Sequence, residues 1–209
     1  MKKVLSLFLV FLILTGITAF AAEIIKNEEG VVVQKTELAQ LYDMGIMEDI
    51  GEGPFQNITR AEMAQIVVQA LNMKEIEMES TFIDVTSDNK YSNQIGVVQS
   101  MNIMCGYGNG IFKPDEYITY YEVVKTIVTM LGYEPLALQR GGYPEGYLKV
   151  GNELGIILYP GAKDFVIDKN DIGKILLRAT DVPLMLQSSF GENVEYQISE
   201  ETLKNKFLK

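Results

Sequence analysis

The chain has 209 residues, 28 acidic and 18 basic, giving a formal net charge of −10, with no histidine and one cysteine. The acidic balance repels nucleic acid and anionic lipid surfaces. Without histidine, serine–histidine and cysteine–histidine catalysis and the common zinc sites are excluded, and Cys105 alone cannot form an internal disulfide, so packing must hold the fold.

The N-terminus opens with Lys2 and Lys3, continues with an apolar run from Val4 to Phe20, and reaches Ala19-Phe20-Ala21. A basic start, an apolar stretch and a small-x-small site predict a secretory signal peptide over residues 1–22. An uncleaved anchor is the rival reading, since the run approaches the roughly 20 residues that span a bilayer. Thr15, Gly16 and Thr18 weaken it.

From there the chain repeats one plan three times: a short helix, a turn, a loop and a capped second helix. In the first unit, Leu38, Leu41 and Tyr42 precede Gly45-Ile46, and Thr59-Arg60-Ala61-Glu62 leads into Met63, Ile66, Val67, Ala70 and Leu71. In the second, Ile95, Val98 and Met101 precede Asn102-Ile103, and Thr119-Tyr120-Tyr121-Glu122 leads into Val123, Val124, Ile127, Val128 and Leu131. In the third, Tyr147, Val150 and Leu154 precede Gly155-Ile156, and Asp168-Lys169-Asn170-Asp171 leads into Ile172, Ile175, Leu176 and Ala179.

The spacing i, i+3, i+4, i+7 marks one buried face on each second helix. Thr59 with Glu62, and Thr119 with Glu122, form capping boxes; Asp168 with Asp171 is a weaker version. Gly45, Asn102 and Gly155 sit where a left-handed residue closes a helix, each followed by an isoleucine able to pack back. Phe55, Phe112 and Phe165 are expected to plug the gaps between helices. A helix pair this small cannot bury its own face, so the three units are expected to pack as one domain.

Other patterns carry no function. Gly106-Tyr107-Gly108-Asn109-Gly110 lacks the Lys-Ser/Thr of a phosphate loop, and no acidic run has calcium-loop spacing, so neither a metal nor a cofactor is expected. Beyond residue 186 the chain turns polar, with Val194 to Ile198 reading as a strand start and Glu200 to Leu208 as a short helix.

The segments Phe82-Ile83-Asp84-Val85, Tyr91, Asn102-Ile103, Gly106 to Pro114 and Ile118-Thr119-Tyr120-Tyr121-Glu122 resemble the S-layer homology motif. Thr59 to Glu62 matches the family's Thr-Arg-Ala-Glu, while the third copy is the most degenerate. The resemblance implies repeats over 23–74, 75–136 and 137–186, then a tail over 187–209 that is polar or begins a further region. It implies a mainly α fold, a pseudo-threefold and three-pronged bundle with grooves between prongs. It further implies non-enzymatic anchoring of a secreted protein to the bacterial cell wall, by binding a secondary cell-wall polysaccharide, often pyruvylated, attached to peptidoglycan. A cargo or surface-protein partner would complete the picture.

By the same resemblance the glycan would meet Arg60, Asp84, Tyr91, Tyr107 and Lys169. Arg60 matches the family arginine, Lys169 holds its place in the third repeat and Tyr120 in the second, while Tyr91 stands where tryptophan is common. From the residues alone Arg60 reads equally as an anion receptor at a helix N-terminus or as an exposed side chain beside a cap, Lys169 as an exposed side chain, Asp84 as a turn cap, Tyr91 and Tyr107 as stacking or buried rings, and Cys105 as a small packed residue. A self-associating surface-layer subunit without glycan binding is the alternative. An enzyme using paired carboxylates is disfavoured because Glu62 and Glu122 are already explained as caps.

Overall fold

The computed structural model describes residues 24–26, 32–48, 50, 53–189 and 194–208; the expected signal peptide lies outside them. They belong to two units, one ending at Lys35 and one beginning at Thr36. In the first, β1 (Ile24–Lys26) pairs antiparallel with β2 (Val32–Gln34), Ile25 opposite Val33.

The second unit is mainly α. Thr36 caps α1 (Glu37–Asp43) by accepting from Ala39 N at 3.2 Å. It is followed by α2 (Arg60–Ala70), α3 (Ser92–Ser100) and α4 (Tyr120–Met130). Then come α5 (Glu134–Gln139), α6 (Glu145–Glu153) and α7 (Lys169–Thr180). Thus α1, α3 and α6 are the three expected first helices, and α2, α4 and α7 the capped second ones. The sequence reading had no place for α5, although Glu134-Pro135 puts an acid and a proline in its first turn, where both are tolerated.

The predicted helix closures are present in all three copies. Gly45, Asn102 and Gly155 have φ of 71°, 54° and 72°. The N–H groups of Ile46, Ile103 and Ile156 reach back to Leu41, Val98 and Gly151 carbonyls at 2.9–3.0 Å, and the isoleucines are buried. This six-to-one bond satisfies carbonyls that the helix end would otherwise orphan.

Packing crosses the sequence repeats. Helix α2 packs on α3, α4 on α6 and α7 back on α1, so each second helix covers the first helix of the following copy and the last closes on the first. Buried on these faces are Met63, Ile66 and Val67 of α2, Val123, Val124 and Ile127 of α4, and Ile172, Ile175 and Leu176 of α7. Each such aliphatic side chain contributes about 2 kcal/mol when fully buried.

The helix N-termini follow the same circular order. Arg60 N and Ala61 N donate to the carbonyls of Glu116 and Pro114, at 2.9 and 3.0 Å. Tyr120 N donates to Phe165 O at 2.8 Å, and Tyr121 N to the Asp164 carboxylate at 3.0 Å. Lys169 N and Asn170 N donate to Gln56 O and Pro54 O, at 2.9 and 2.8 Å. Backbone bridges Thr59–Tyr117, Thr119–Val166 and Asn57–Asp168 link the cap segments in a ring.

The three loop phenylalanines are not equivalent, which corrects the expectation that each plugs a gap. Phe112 is fully buried, whereas Phe165 and Phe55 are exposed, at 38% and 77%. The reason is register: Phe112 lies seven residues before its cap, Phe55 four and Phe165 three, so the rings leave the loops in different directions.

Beyond α7, β3 (Pro183–Gln187) pairs antiparallel with β4 (Tyr196–Thr202), Leu186 opposite Gln197, and α8 (Leu203–Lys206) follows. The strand therefore continues through Thr202, into the stretch expected to be helical, because pairing with β3 satisfies its backbone. The segment is packed: Leu203 is fully buried, Phe207 and Leu208 lie against the core, and Met185 N donates to Leu131 O at 2.9 Å.

Gly132 closes α4 at φ 87°, and a Cβ there would fall on the Met185 carbonyl. Gly132→Ala is expected to cost about 3 kcal/mol in urea denaturation. Gly155→Ala, left-handed too but with open space around its Cβ, should cost only about 1 kcal/mol.

Candidate functional site

Arg60, Tyr120 and Lys169 occupy the same place, one residue past the cap of a second helix, and all three reach into the following unit. Arg60 Nε donates to Phe112 O and Nη2 to Cys105 O, both at 2.9 Å, and Nη1 pairs with Glu122 Oε1 at 3.0 Å. Its guanidinium also faces the Tyr107 and Phe112 rings at 4.6 and 4.7 Å. Tyr120 stacks on Phe165 with ring centres 5.3 Å apart, and its hydroxyl accepts from Tyr159 N at 3.1 Å. Lys169 Nζ donates to Ile50 O and lies 5.3 Å from the Tyr42 ring.

Two side chains expected at the surface are therefore buried: Arg60 is 4% exposed and Lys169 2%. Burial of a cation is tolerable only when its donors are satisfied, and carbonyls of the next loop satisfy them. Cys105 departs in the other direction, being exposed rather than packed.

Glu62 and Glu122 act as the caps expected of them: Thr59 N donates to Glu62 Oε2 at 2.8 Å and Thr119 N to Glu122 Oε2 at 3.1 Å. Glu122 has a second role. Its other oxygen takes Arg60 and the Tyr107 hydroxyl, joining the first and second units through one carboxylate. Asp168 caps α7 by accepting from Asp171 N at 2.9 Å, but Asp171 turns to Tyr159 and Lys174 instead of completing a box.

Around the Arg60–Glu122 pair lies a cavity of about 310 Å³, lined among others by Arg60, Cys105, Tyr107, Glu122, Lys125 and Tyr143. Tyr107 is 52% exposed. Partial burial, and then its bond to the Glu122 carboxylate, push its pKa up to about 12. Of the five expected glycan contacts, only Arg60 and Tyr107 line this cavity.

The other three lie elsewhere. Tyr91 is buried at the start of α3, with the Lys90 ammonium 4.5 Å from its ring. The Asp84 carboxylate accepts from Phe112 N at 2.8 Å and Lys113 N at 2.7 Å, fixing the loop that receives Arg60. Partial burial acts to raise the Asp84 pKa, but these two N–H groups and the Arg60 charge outweigh it and lower the pKa below 3.8.

Sequence reasoning missed Lys125 and Tyr143. Lys125 carried a weak signal, three residues after Glu122 and so on the same helix face; Tyr143, in a loop between α5 and α6, carried none. A wider cleft of about 830 Å³ between residues 74–79 and 87–93 holds Glu75, Glu77, Glu79 and Asp88 and no aromatic ring, a poor setting for an acidic sugar. Among the described residues no cluster could hold a metal ion, and no helix is long and apolar enough to cross a membrane.

Helix pairs packed in circular order, with an aromatic and charged cavity at a junction, define a repeat-built helical module. The S-layer homology domain model matches residues 35–64 and 82–124, within the first two copies, and the chain belongs to the S-layer homology domain family. It is 32% identical over 184 residues to the middle cell wall protein of Brevibacillus brevis, covering 85% of this chain and 17% of that one. It is 32% identical over 203 residues to the surface layer protein of Brevibacillus choshinensis, covering 91% and 18%. A cell surface protein of Thermoanaerobacter kivui is 30% identical over 161 residues, covering 71% and 20%. The chain thus spans a fifth or less of these relatives' length. It is a cell-surface protein.

Asp84→Asn is expected to cost about 2 kcal/mol, because two backbone N–H groups lose a charged acceptor. The lowered Asp84 pKa means its contribution is present above pH 3.8 and is lost as pH falls through the folded value. The raised Tyr107 pKa means the folded state holds that proton more tightly. Its contribution is complete below pH 10 and lost as pH rises towards 12, a loss that Tyr107→Phe should remove from the alkaline limb of a melting-temperature profile.

Proposed function

We propose that this chain anchors a protein non-covalently to the bacterial wall by binding a secondary cell-wall polysaccharide, often pyruvylated, in the junction between its first and second repeats. The observation that carries the reading is the cavity in which Arg60 of the first repeat meets Tyr107 and Glu122 of the second. A half-exposed tyrosine offers an apolar face to sugar C–H groups, and the Arg60–Glu122 pair behind it holds the ring in place.

In this reading the three copies, 23–74, 75–136 and 137–186, form a pseudo-threefold, three-pronged bundle with grooves between prongs. The circular bonding of helix N-termini supports it. Leu203, Phe207 and Leu208 of the tail over 187–209 complete the packing after the third copy, and residues 1–22 direct export. Arg60, Asp84, Tyr91 and Lys169 hold the framework of the grooves, and Tyr107 touches the sugar. The names of the three relatives given above, of the cell wall or surface, support anchoring.

The test is sedimentation of the full-length chain, recovered after secretion from a bacterial host, with wall sacculi that either carry or have been stripped of their polysaccharide. Intact sacculi should retain the protein and stripped ones release it. Tyr107→Ala should weaken retention at least tenfold for about 1 kcal/mol of stability, the scale of its cation–π contact. Arg60→Ala should lose retention together with about 3 kcal/mol of stability, because Glu122 is left without its buried partner. Equal retention by stripped sacculi would overturn the reading.

A further inference from the structure

Within the proposed groove, a matched arginine would ordinarily be taken as the contact for an acidic sugar. The geometry here argues otherwise. All three kinds of guanidinium nitrogen are committed, Nε and Nη2 to backbone carbonyls and Nη1 to Glu122, and the side chain is almost wholly buried. For Arg60 to take a carboxylate it would have to abandon Phe112 O, Cys105 O or Glu122, leaving a buried acceptor unpaired.

Another cation lines the same cavity. Lys125 lies on α4, one turn past Glu122, is partly exposed, and its ammonium makes no ion pair or hydrogen bond to any described residue. The opposing charge in the cavity, Glu122, is engaged by Arg60 and by the Tyr107 hydroxyl. With Arg60 and Glu122 offsetting one another, Lys125 leaves the cavity with one unmatched positive charge in a chain whose net charge is −10. Such a local reversal of sign attracts an anion. Tyr107 and Tyr143, 52% and 49% exposed, line the cavity with it and offer flat faces for a sugar ring.

We infer that the anion-contacting residue of this groove is Lys125, which takes the carboxylate of an acidic sugar held by Tyr107 and Tyr143, while Arg60 positions the loop and Glu122 behind them. The inference rests on the groove reading above and makes it specific for a carboxylate-bearing saccharide. An ammonium on a flexible stem accepts a carboxylate as a point charge, so binding should fall steeply with salt.

The experiment uses the full-length chain with Lys125→Gln, Tyr143→Ala and Tyr107→Ala, each checked by thermal melting. Retention on polysaccharide-bearing sacculi is measured from low to high salt. A parallel arm titrates the protein with methyl glucuronide and with methyl glucoside, read by nuclear magnetic resonance shifts of the tyrosine rings.

Lys125→Gln is expected to keep the wild-type melting temperature and to lose at least tenfold in retention at low salt. Its dependence on salt should flatten, and the preference for the glucuronide should disappear. Tyr143→Ala should weaken both sugars alike. If Tyr107→Ala loses retention while Lys125→Gln matches wild type at every salt concentration, the groove stands and the assignment to Lys125 is overturned. If wild type ignores the polysaccharide, the groove reading and this inference fall together.

Discussion

A helix begins with N–H groups that its own turns cannot satisfy, and in this protein three such beginnings are satisfied by one another's neighbours. The first N–H groups of α2, α4 and α7 donate to loop carbonyls or carboxylate of the next copy, and the last helix donates to the first copy's loop. Because these donors sit in a buried ring, each loop is fixed by a helix from another part of the chain. Removing one copy would expose two unsatisfied edges, which is why the copies make one unit.

The residue just past each cap carries this dependence into the side chains. Arginine, tyrosine and lysine stand at the same place in the three copies and solve one packing problem with different chemistry. Arg60 links two carbonyls and a carboxylate, Tyr120 stacks against an aromatic ring, and Lys169 feeds one carbonyl of the first copy. The ring tolerates the variation because the backbone bridges, not the side chains, set the register. Where arginine is used, its partners hold Tyr107 beside Glu122 at the cavity, so the residue that closes the ring also shapes the surface.

Residues buried for structural reasons and residues exposed at the cavity are therefore neighbours but distinct in accessibility. Asp84 and Glu122 carry formal charge, yet both are occupied by backbone N–H groups or by Arg60, and their charge is spent internally.

The helices, their caps and their closures were legible because they depend on local chemistry: Thr59, Thr119 and Asp168 before apolar periodic runs, and Gly45, Asn102 and Gly155 after them. The family was legible too, since its motif is largely made of those same cap and turn residues. Burial of Arg60 and Lys169, exposure of Cys105 and Phe55, the strand at Pro183–Gln187 and the presence of Lys125 and Tyr143 at one cavity were not. Each depends on what another copy places opposite, across dozens of residues of chain. Sequence determined where the capped second helices start and where their partner helices close; only the tertiary structure decided which cations are buried holding the ring closed and which side chains stay exposed at the cavity, because that depends on carbonyls supplied by distant loops.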